Sequence, residues 1–265
     1  MIFISMYIHN LNPVLFNFGF FEIRWYSLAY IFGILIGWIL GKKLIKLKNE
    51  QYATSIKLNY FDDLISYLIV SIIIGGRFGY IIFYNFEYYL KNPLSVLKIW
   101  EGGMSFHGAL IGIIIGTYIF AKKRGINLFL LLDVIASVAP IGLFFGRIAN
   151  FINSELYGTP SNLPWAVVFP KVDNLSRHPS QLYEATLEGL FLFIILMYVN
   201  FTRKFKLGTC SSLFLIVYGI FRIVSEQFRE PDVQIGYIYN YFTMGSLLSA
   251  LMIVFGVLIF VKIKK

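Results

Sequence analysis

Apolar residues in this chain fall in long blocks rather than in the short stripes of a water-soluble fold. Seven blocks, at about 24–41, 64–84, 106–121, 128–149, 186–202, 211–228 and 241–261, each approach the ~20 residues that carry a helix across a bilayer. None shows the inside–outside alternation of a membrane barrel strand. The pattern therefore predicts an all-α fold, a polytopic membrane helical bundle with about seven transmembrane helices. The third block is the shortest. Two segments between blocks are long: 85–105, with Glu87, Tyr88, Tyr89, Trp100 and Glu101, and 150–185, with Pro160, Pro164, Pro170 and Pro179. The aromatic content of the first suits headgroup level, and loops as long as the second are commonly functional. The whole chain, 1–265, reads as a single integral membrane domain in which these two segments form an external cap.

Composition agrees with the pattern. Of 265 residues 58% are hydrophobic and 14% charged, against roughly a quarter charged in soluble domains. The net charge of +9 is a statement about topology. Lys42, Lys43, Lys46, Lys48 and Lys57 follow the first block. Lys122, Lys123 and Arg124 follow the third, Arg203, Lys204 and Lys206 the fifth, and Lys262, Lys264 and Lys265 the seventh. These places hold 14 of the 23 lysines and arginines, and seven spans put all of them on one side. By the positive-inside rule the C-terminus is cytoplasmic and the N-terminus external. No basic, aromatic-studded soluble surface offers itself to nucleic acid. No basic residue precedes Arg24, so the charged n-region of a signal peptide is lacking and the first span is expected to be retained. A single cysteine, Cys210, excludes an intramolecular disulfide and a multi-cysteine metal site. No metal or cofactor is expected.

Against this background the polar residues inside or beside the blocks stand out. An arginine at mid-membrane costs roughly 2.5–3.5 kcal/mol on insertion scales, so it is kept for a reason and needs a partner. Arg147, Asn150, Asn153, Glu155 and Gly158 close the fourth block, and Arg147 and Asn150 share a helical face at i, i+3. Tyr218, Arg222, Glu226 and Arg229 form a stripe on the sixth. Tyr26 starts the first block and His107 the third, each at the predicted external end. Arg77 lies somewhat deeper in the second, where snorkelling is the competing account. Pairing of Arg222 with Glu226 is the plain structural alternative for that residue. Arg147 has only Asn150 and Asn153 close in sequence, and a bound anion such as a lipid phosphate would compensate it, since guanidinium fits phosphate oxygens bidentately. His107 is the best-placed group titrating near neutrality. His178 lies in the external segment before the fifth block, and His9 in an N-terminal stretch expected to be mobile, without a role. Glycines at four-residue spacing, Gly33, Gly37 and Gly41, then Gly108, Gly112 and Gly116, predict close helix packing within the chain rather than a dimer face.

The residues around these positions form motifs. Gly-Arg-Ile-Ala-Asn-Phe-Ile-Asn-Ser-Glu-Leu-Tyr-Gly at 146–158, Gly-Gly-Met-Ser-Phe-His-Gly at 102–108, Arg-His-Pro-Ser-Gln-Leu-Tyr-Glu at 177–184 and Phe-Arg-Glu-Pro-Asp at 228–232 resemble the bacterial prolipoprotein diacylglyceryl transferases. They span most of the chain in the family's order. Ala109 stands where many members have glycine, and Ser246 where glutamine is common. The resemblance implies a seven-span enzyme of the bacterial cytoplasmic (inner) membrane, with its active site towards the external leaflet. Its substrates are phosphatidylglycerol and preprolipoprotein signal peptides carrying a lipobox cysteine. The diacylglyceryl group passes to the thiol as a thioether, and glycerol phosphate leaves. The nucleophile belongs to the substrate, so a lone cysteine is no handicap. In this reading His107, Arg147 and Arg222 are catalytic, His107 taking the thiol proton and the arginines holding the phosphate. Tyr26, Asn150, Asn153, Glu155, Gly158, His178, Tyr218 and Glu226 bind or orient substrate, and Glu155 or His178 competes with His107 as base. The family marks Tyr26, Asn150, Gly158 and Glu226 as important.

Two other classes fit less well. A transporter or flippase for an anionic lipid or solute also wants buried arginines, but no charged path continues to the cytoplasmic side and no inverted repeats are evident. An intramembrane protease needs a serine or paired aspartates at mid-depth, whereas Asp62 and Asp63 sit at a cytoplasmic edge.

Overall fold

A computed structural model describes residues 7–19, 22–231, 236–238 and 242–264. Asp232 of the fourth motif, Tyr241 at the start of the seventh block and Lys265 lie outside the described residues. The chain divides into two compact units, Met1–Leu40 with Ala136–Lys265, and Gly41–Ile135.

The described N-terminal residues are built, not loose. Strand β1 (Tyr7–Ile8) is followed by the antiparallel pair β2 (Val14–Asn17) and β3 (Glu22–Arg24). All seven predicted blocks are helical: α1 (Trp25–Tyr52), α2 (Asn59–Tyr84), α4 (Phe106–Arg124), α5 (Leu128–Asn153), a continuous helix Ser180–Thr202, α8 (Thr209–Glu226) and α9 (Met244–Lys264). Between α2 and α4 lie α3 (Phe86–Lys91) and two 3-10 turns, Pro93–Leu97 and Ile99–Glu101. Six of the seven are long and apolar enough to cross a membrane. The exception, α4, ends in Lys122, Lys123 and Arg124 and stops at Gly125, whose φ of 65° supplies a left-handed cap. Helix α1 runs past its predicted end because lysines propagate a helix well. Its Lys48 is buried 3.7 Å from Asp133.

The helices are turned outward in the sense expected in lipid. Leu251, Val254, Phe255 and Leu258 of α9 are exposed, while Ser211, Ser212, Arg222, Ser225 and Glu226 of α8 are buried. Glycines let the helices approach. In the 41–135 unit a Cβ on Gly108 would lie 2.3 Å from the Gly75 carbonyl oxygen, and one on Gly112 2.2 Å from that of Ser71, so α4 lies backbone to backbone on α2. In the other unit a Cβ on Gly33 would meet Gly142 Cα at 3.1 Å. The glycine stripes are used for packing inside the chain.

The long segment after α5 carries β4 (Val167–Val168) and β5 (Ser176–Arg177), giving a three-stranded sheet in the order β1-β4-β5, parallel then antiparallel. The apolar-block pattern carries no signal for these two-residue strands. Next, the Ser180–Thr202 helix begins as α6 (Ser180–Glu184), widens to a π-helical turn over Ala185–Phe191 and continues as α7 (Leu192–Thr202). Such turns are rare and concentrate at functional sites.

Candidate active site

Arg147 stands nearly two turns before the end of α5, and Arg222 about one turn before the end of α8. Between them the Ser180–Thr202 helix places Glu184 and Glu188, four residues apart around the π turn and both fully buried. Arg147 Nε is 2.8 Å from Glu184 Oε2 and its Nη2 3.4 Å from Glu188 Oε2. Arg222 Nη1 is 2.9 Å from Glu184 Oε1 and 3.5 Å from Glu188 Oε1. Arg229 Nη1 reaches Glu184 Oε1 at 3.4 Å. Glu226 Oε2 takes the other side of Arg222, 2.6 Å from Nη2. A Cβ on Gly245, in the first turn of α9, would come within 3.0 Å of that carboxylate, so the glycine makes room for it. Tyr218 is buried, stacks on Phe214 at 5.5 Å and lies within electrostatic reach of Arg147, Arg222 and Glu188.

The expectation for Arg147 is corrected on one point. Its charge is not left to a bound anion alone, because Glu184 and Glu188 meet it directly. Removing one partner of a buried pair costs about 3–5 kcal/mol, so the carboxylates are as much part of the cluster as the arginines. A signal for them exists in the sequence. Glu188 is a carboxylate inside the fifth predicted span, i+4 from Glu184, and an intramembrane carboxylate calls for a partner exactly as an arginine does. Arg222 does pair with Glu226, as the plain alternative has it, and with Glu184 besides.

Just past Arg147 the signature's polar residues form a second group. Asn150 Nδ2 and Asn153 Nδ2 each donate to the Glu155 carboxylate at 3.3 Å, and Glu155 N–H returns to the Asn150 carbonyl at 3.0 Å. The turn that allows this holds Ser154 and Leu156 in left-handed conformations, φ 60° and 55°, which non-glycine residues adopt at a cost. Ser154 Oγ is tied 3.1 Å from His9 Nδ1. His9, expected in a mobile stretch, is buried between Phe151 and Phe169, and its backbone N–H donates to Val168. Tyr26 shares a hydrogen bond with Tyr30, which lies within electrostatic reach of Glu155 and Arg147.

Gly158 is where three of the motifs meet. Its N–H donates to the His178 carbonyl at 3.0 Å and its own carbonyl accepts from Arg177 Nη1 at 3.0 Å, while Thr159 N–H donates to Phe228. A Cβ there would stand 2.4 Å from the His178 oxygen and 2.5 Å from the Phe228 oxygen, so only glycine fits. Gln181 Nε2 and Ser180 Oγ donate to the carbonyls of Glu155 and Leu156. Arg177 is held by Asp173 and Glu230. These hydrogen bonds keep the Asp173 carboxyl below its usual range. His178 faces Tyr183 and Phe228, its Nδ1 3.2 Å from the Tyr183 hydroxyl, and burial lowers its pKa. These contacts make His178 part of the junction around Gly158.

Of the predicted site residues only His107 belongs to the 41–135 unit. It is buried in the first turn of α4, behind the N-cap Ser105, whose Oγ accepts from Gly108 N–H at 3.2 Å. Arg77 of the same unit is neither a snorkel nor an anion ligand. Its guanidinium donates to the carbonyls of Ser95, Val96, Lys98, Gly102 and Gly103, using every N–H it has, and lies over the Tyr89 ring. It shapes the segment leading to His107. Among the described residues no cluster of His, Cys, Asp and Glu is arranged to hold a metal.

Comparison with known proteins converges on one family. A family model described as prolipoprotein diacylglyceryl transferase matches residues 13–262. Proteins named phosphatidylglycerol--prolipoprotein diacylglyceryl transferase are among the relatives. That of Rickettsia typhi is 52% identical over 254 residues, covering 95% of this chain and 96% of the relative. That of Rickettsia bellii is 51% identical over 255 residues, 96% and 95%. That of Rickettsia felis is 49% identical over 249 residues, 93% and 95%.

Proposed function

We propose, because this chain belongs to the prolipoprotein diacylglyceryl transferase family, that it transfers the diacylglyceryl group of phosphatidylglycerol to the lipobox cysteine thiol of a preprolipoprotein. The observation that carries the reading to particular residues is the cluster of Arg147, Arg222 and Arg229 around Glu184 and Glu188. Guanidinium forks in a buried setting are suited to a phosphodiester, and their charge grows in value where water is excluded.

The reaction is a displacement at carbon. The cysteine sulfur forms a C–S bond to the glyceryl carbon of the diacylglyceryl group, the C–O bond to phosphate breaks, and glycerol phosphate leaves with one more negative charge than the diester had. Arg147 and Arg222 stabilise that charge as it develops. A free thiol with a pKa of ~8.5 is mostly protonated at neutral pH. We assign its proton to His107. Glu155 and His178 are the competing acceptors. Asn150, Asn153 and Glu155 orient the headgroup, with Tyr26 and Tyr218 beside the clamp. Gly158 holds the junction that positions them, and Glu226 holds Arg222.

The lysine-rich turns support an N-terminus outside and a C-terminus inside a bacterial cytoplasmic membrane, with the cluster towards the outer leaflet and the segments 85–105 and 150–185 on the external side. The test uses purified protein in detergent micelles with phosphatidylglycerol and a lipobox peptide. Glycerol phosphate release and a diacylglyceryl mass increment on the peptide are expected in equal amounts. Lipid movement across vesicles reconstituted with the protein, with neither product formed, would sink the reading in favour of a flippase. With His107→Gln, transfer at the wild-type rate would move the base to Glu155 or His178 and leave the function standing.

A further inference from the structure

The charges in this cluster already balance before any lipid arrives. Arg147 comes from α5, Arg222 and Glu226 from α8, Arg229 from just beyond it, and Glu184 and Glu188 from the Ser180–Thr202 helix. Guanidinium stays charged at any working pH. Among the described residues, with the carboxylates ionised, three cations meet three anions. A phosphodiester adds a further negative charge, and in a buried, low-dielectric setting an uncompensated charge is far more costly than in water. Either the lipid is repelled or one carboxylate gives up its charge.

Geometry selects which one. Glu184 bridges all three arginines, two of them at 2.8 and 2.9 Å. Glu226 has a 2.6 Å contact with Arg222 and lies beside the first turn of α9, where helix N–H groups favour an anion. Glu188 has only the long contacts, 3.4 Å to Arg147 Nη2 and 3.5 Å to Arg222 Nη1, and shares both guanidiniums with Glu184. It is fully buried, and the ionisable groups facing it are Arg147, Arg222, Arg229, Glu184 and Tyr218. We propose that Glu188 is an exchangeable counter-ion: it takes one proton from solvent as the lipid phosphate binds. Arg147 Nη2 and Arg222 Nη1, the two nitrogens it occupied, then turn to the phosphate oxygens. The neutral carboxyl gains an O–H that donates to the phosphate. When the C–O bond breaks, both nitrogens already face the oxygen on which charge collects. This rests on the reading of the cluster as a phosphate site, and it adds a coupling between lipid binding and proton uptake.

Titration calorimetry of the purified protein with short-chain phosphatidylglycerol, in buffers of different ionisation heat, counts the protons. On the alkaline side of the transition the wild type is expected to take up about one proton per lipid, with affinity falling about tenfold per pH unit. Diacylglycerol, which lacks the phosphate, is expected to bring no proton. Glu188→Gln is neutral at every pH and is expected to bind the lipid with no uptake and a flat pH dependence, while His9→Phe, which leaves the charges of the cluster untouched, keeps the uptake. A merely structural glutamate would weaken binding on replacement without flattening the slope. Wild-type binding without proton uptake anywhere between about pH 6 and 9 overturns the proposal whether or not the variants fold, and so does undiminished uptake by Glu188→Gln. Those results leave the phosphate-site reading intact. Failure of folded wild type to bind the lipid at all removes both. Dimethyl phosphate, a diester that stays singly charged across this range, in place of the lipid distinguishes the sources: uptake with both assigns the coupling to the phosphodiester group, uptake with the lipid alone to the whole headgroup.

Discussion

Arg147 is defined by its fork, not by its charge alone. Nε and Nη2 go to two different carboxylates, a division of labour that a single ammonium cannot reproduce. Arg147→Lys is expected to reduce transfer about 10–100-fold while the protein still folds. Arg147→Ala is expected to abolish transfer and lower stability by about 3–5 kcal/mol, because Glu184 and Glu188 lose a cation in a buried place; initial rates and thermal melting in detergent separate the two effects. Gly158 is a packing requirement of a different kind. Gly158→Ala pushes a methyl group to 2.4 Å from a carbonyl oxygen, and is expected to cost about 1–3 kcal/mol or more, with activity falling because the junction under Glu155 opens. Both residues can be singled out in the sequence, but for Gly158 the reason is visible only when residues 158, 178 and 228 are brought together. Glu188 shows the converse. It carries the same intramembrane charge signal as Arg147, yet no motif draws attention to it, and its role appears only when two other helices close around it.

At the level of elements, α2 and α4 are held by backbone contact. Gly112→Leu would drive a side chain into the Ser71 carbonyl at 2.2 Å, so the helices must part. A loss of about 1–3 kcal/mol or more is expected, read as a lower melting temperature. The segment around the three-stranded sheet of the other unit answers to pH. His9 is buried and His178 half-buried, and desolvation lowers the pKa of both, His9 further through the nearby Lys171. Each therefore binds its proton more readily in the unfolded chain, and stability falls as pH drops from about 6.5 towards the lower folded values. Asp173 behaves as the depressed acid. The stabilisation from its Arg177 bonds is complete above about pH 3.9 and is lost as pH falls through its lower folded value. Limited proteolysis within 154–179 is accordingly expected to accelerate between about pH 7 and 5. His9→Phe, which keeps the aromatic packing but cannot take a proton, is expected to blunt that change. The short strands were invisible beforehand because two residues set no period, and His9 acquires its partners only through β1.

For the whole molecule, the proposed orientation puts the lysine-rich turns in the cytoplasm. A reporter that fluoresces only in the cytoplasm, fused after α9, is expected to be active, and one inserted in the 159–175 loop dark. The long apolar blocks by themselves determined the helices, because a bilayer demands about twenty apolar residues and leaves little choice of structure. Charge placement set an expected topology, and the motifs, being local strings, named the family. Tertiary structure decided how the intramembrane charges are satisfied. Which carboxylate answers which guanidinium depends on residues 34 to 37 positions apart in sequence, as from Arg147 to Glu184 or from Glu188 to Arg222. Helical periodicity fixes which residues share a face, but not which faces meet. Only the closed fold, with its π turn turning Glu184 and Glu188 to the same arginines, shows that the site holds its own counter-ions.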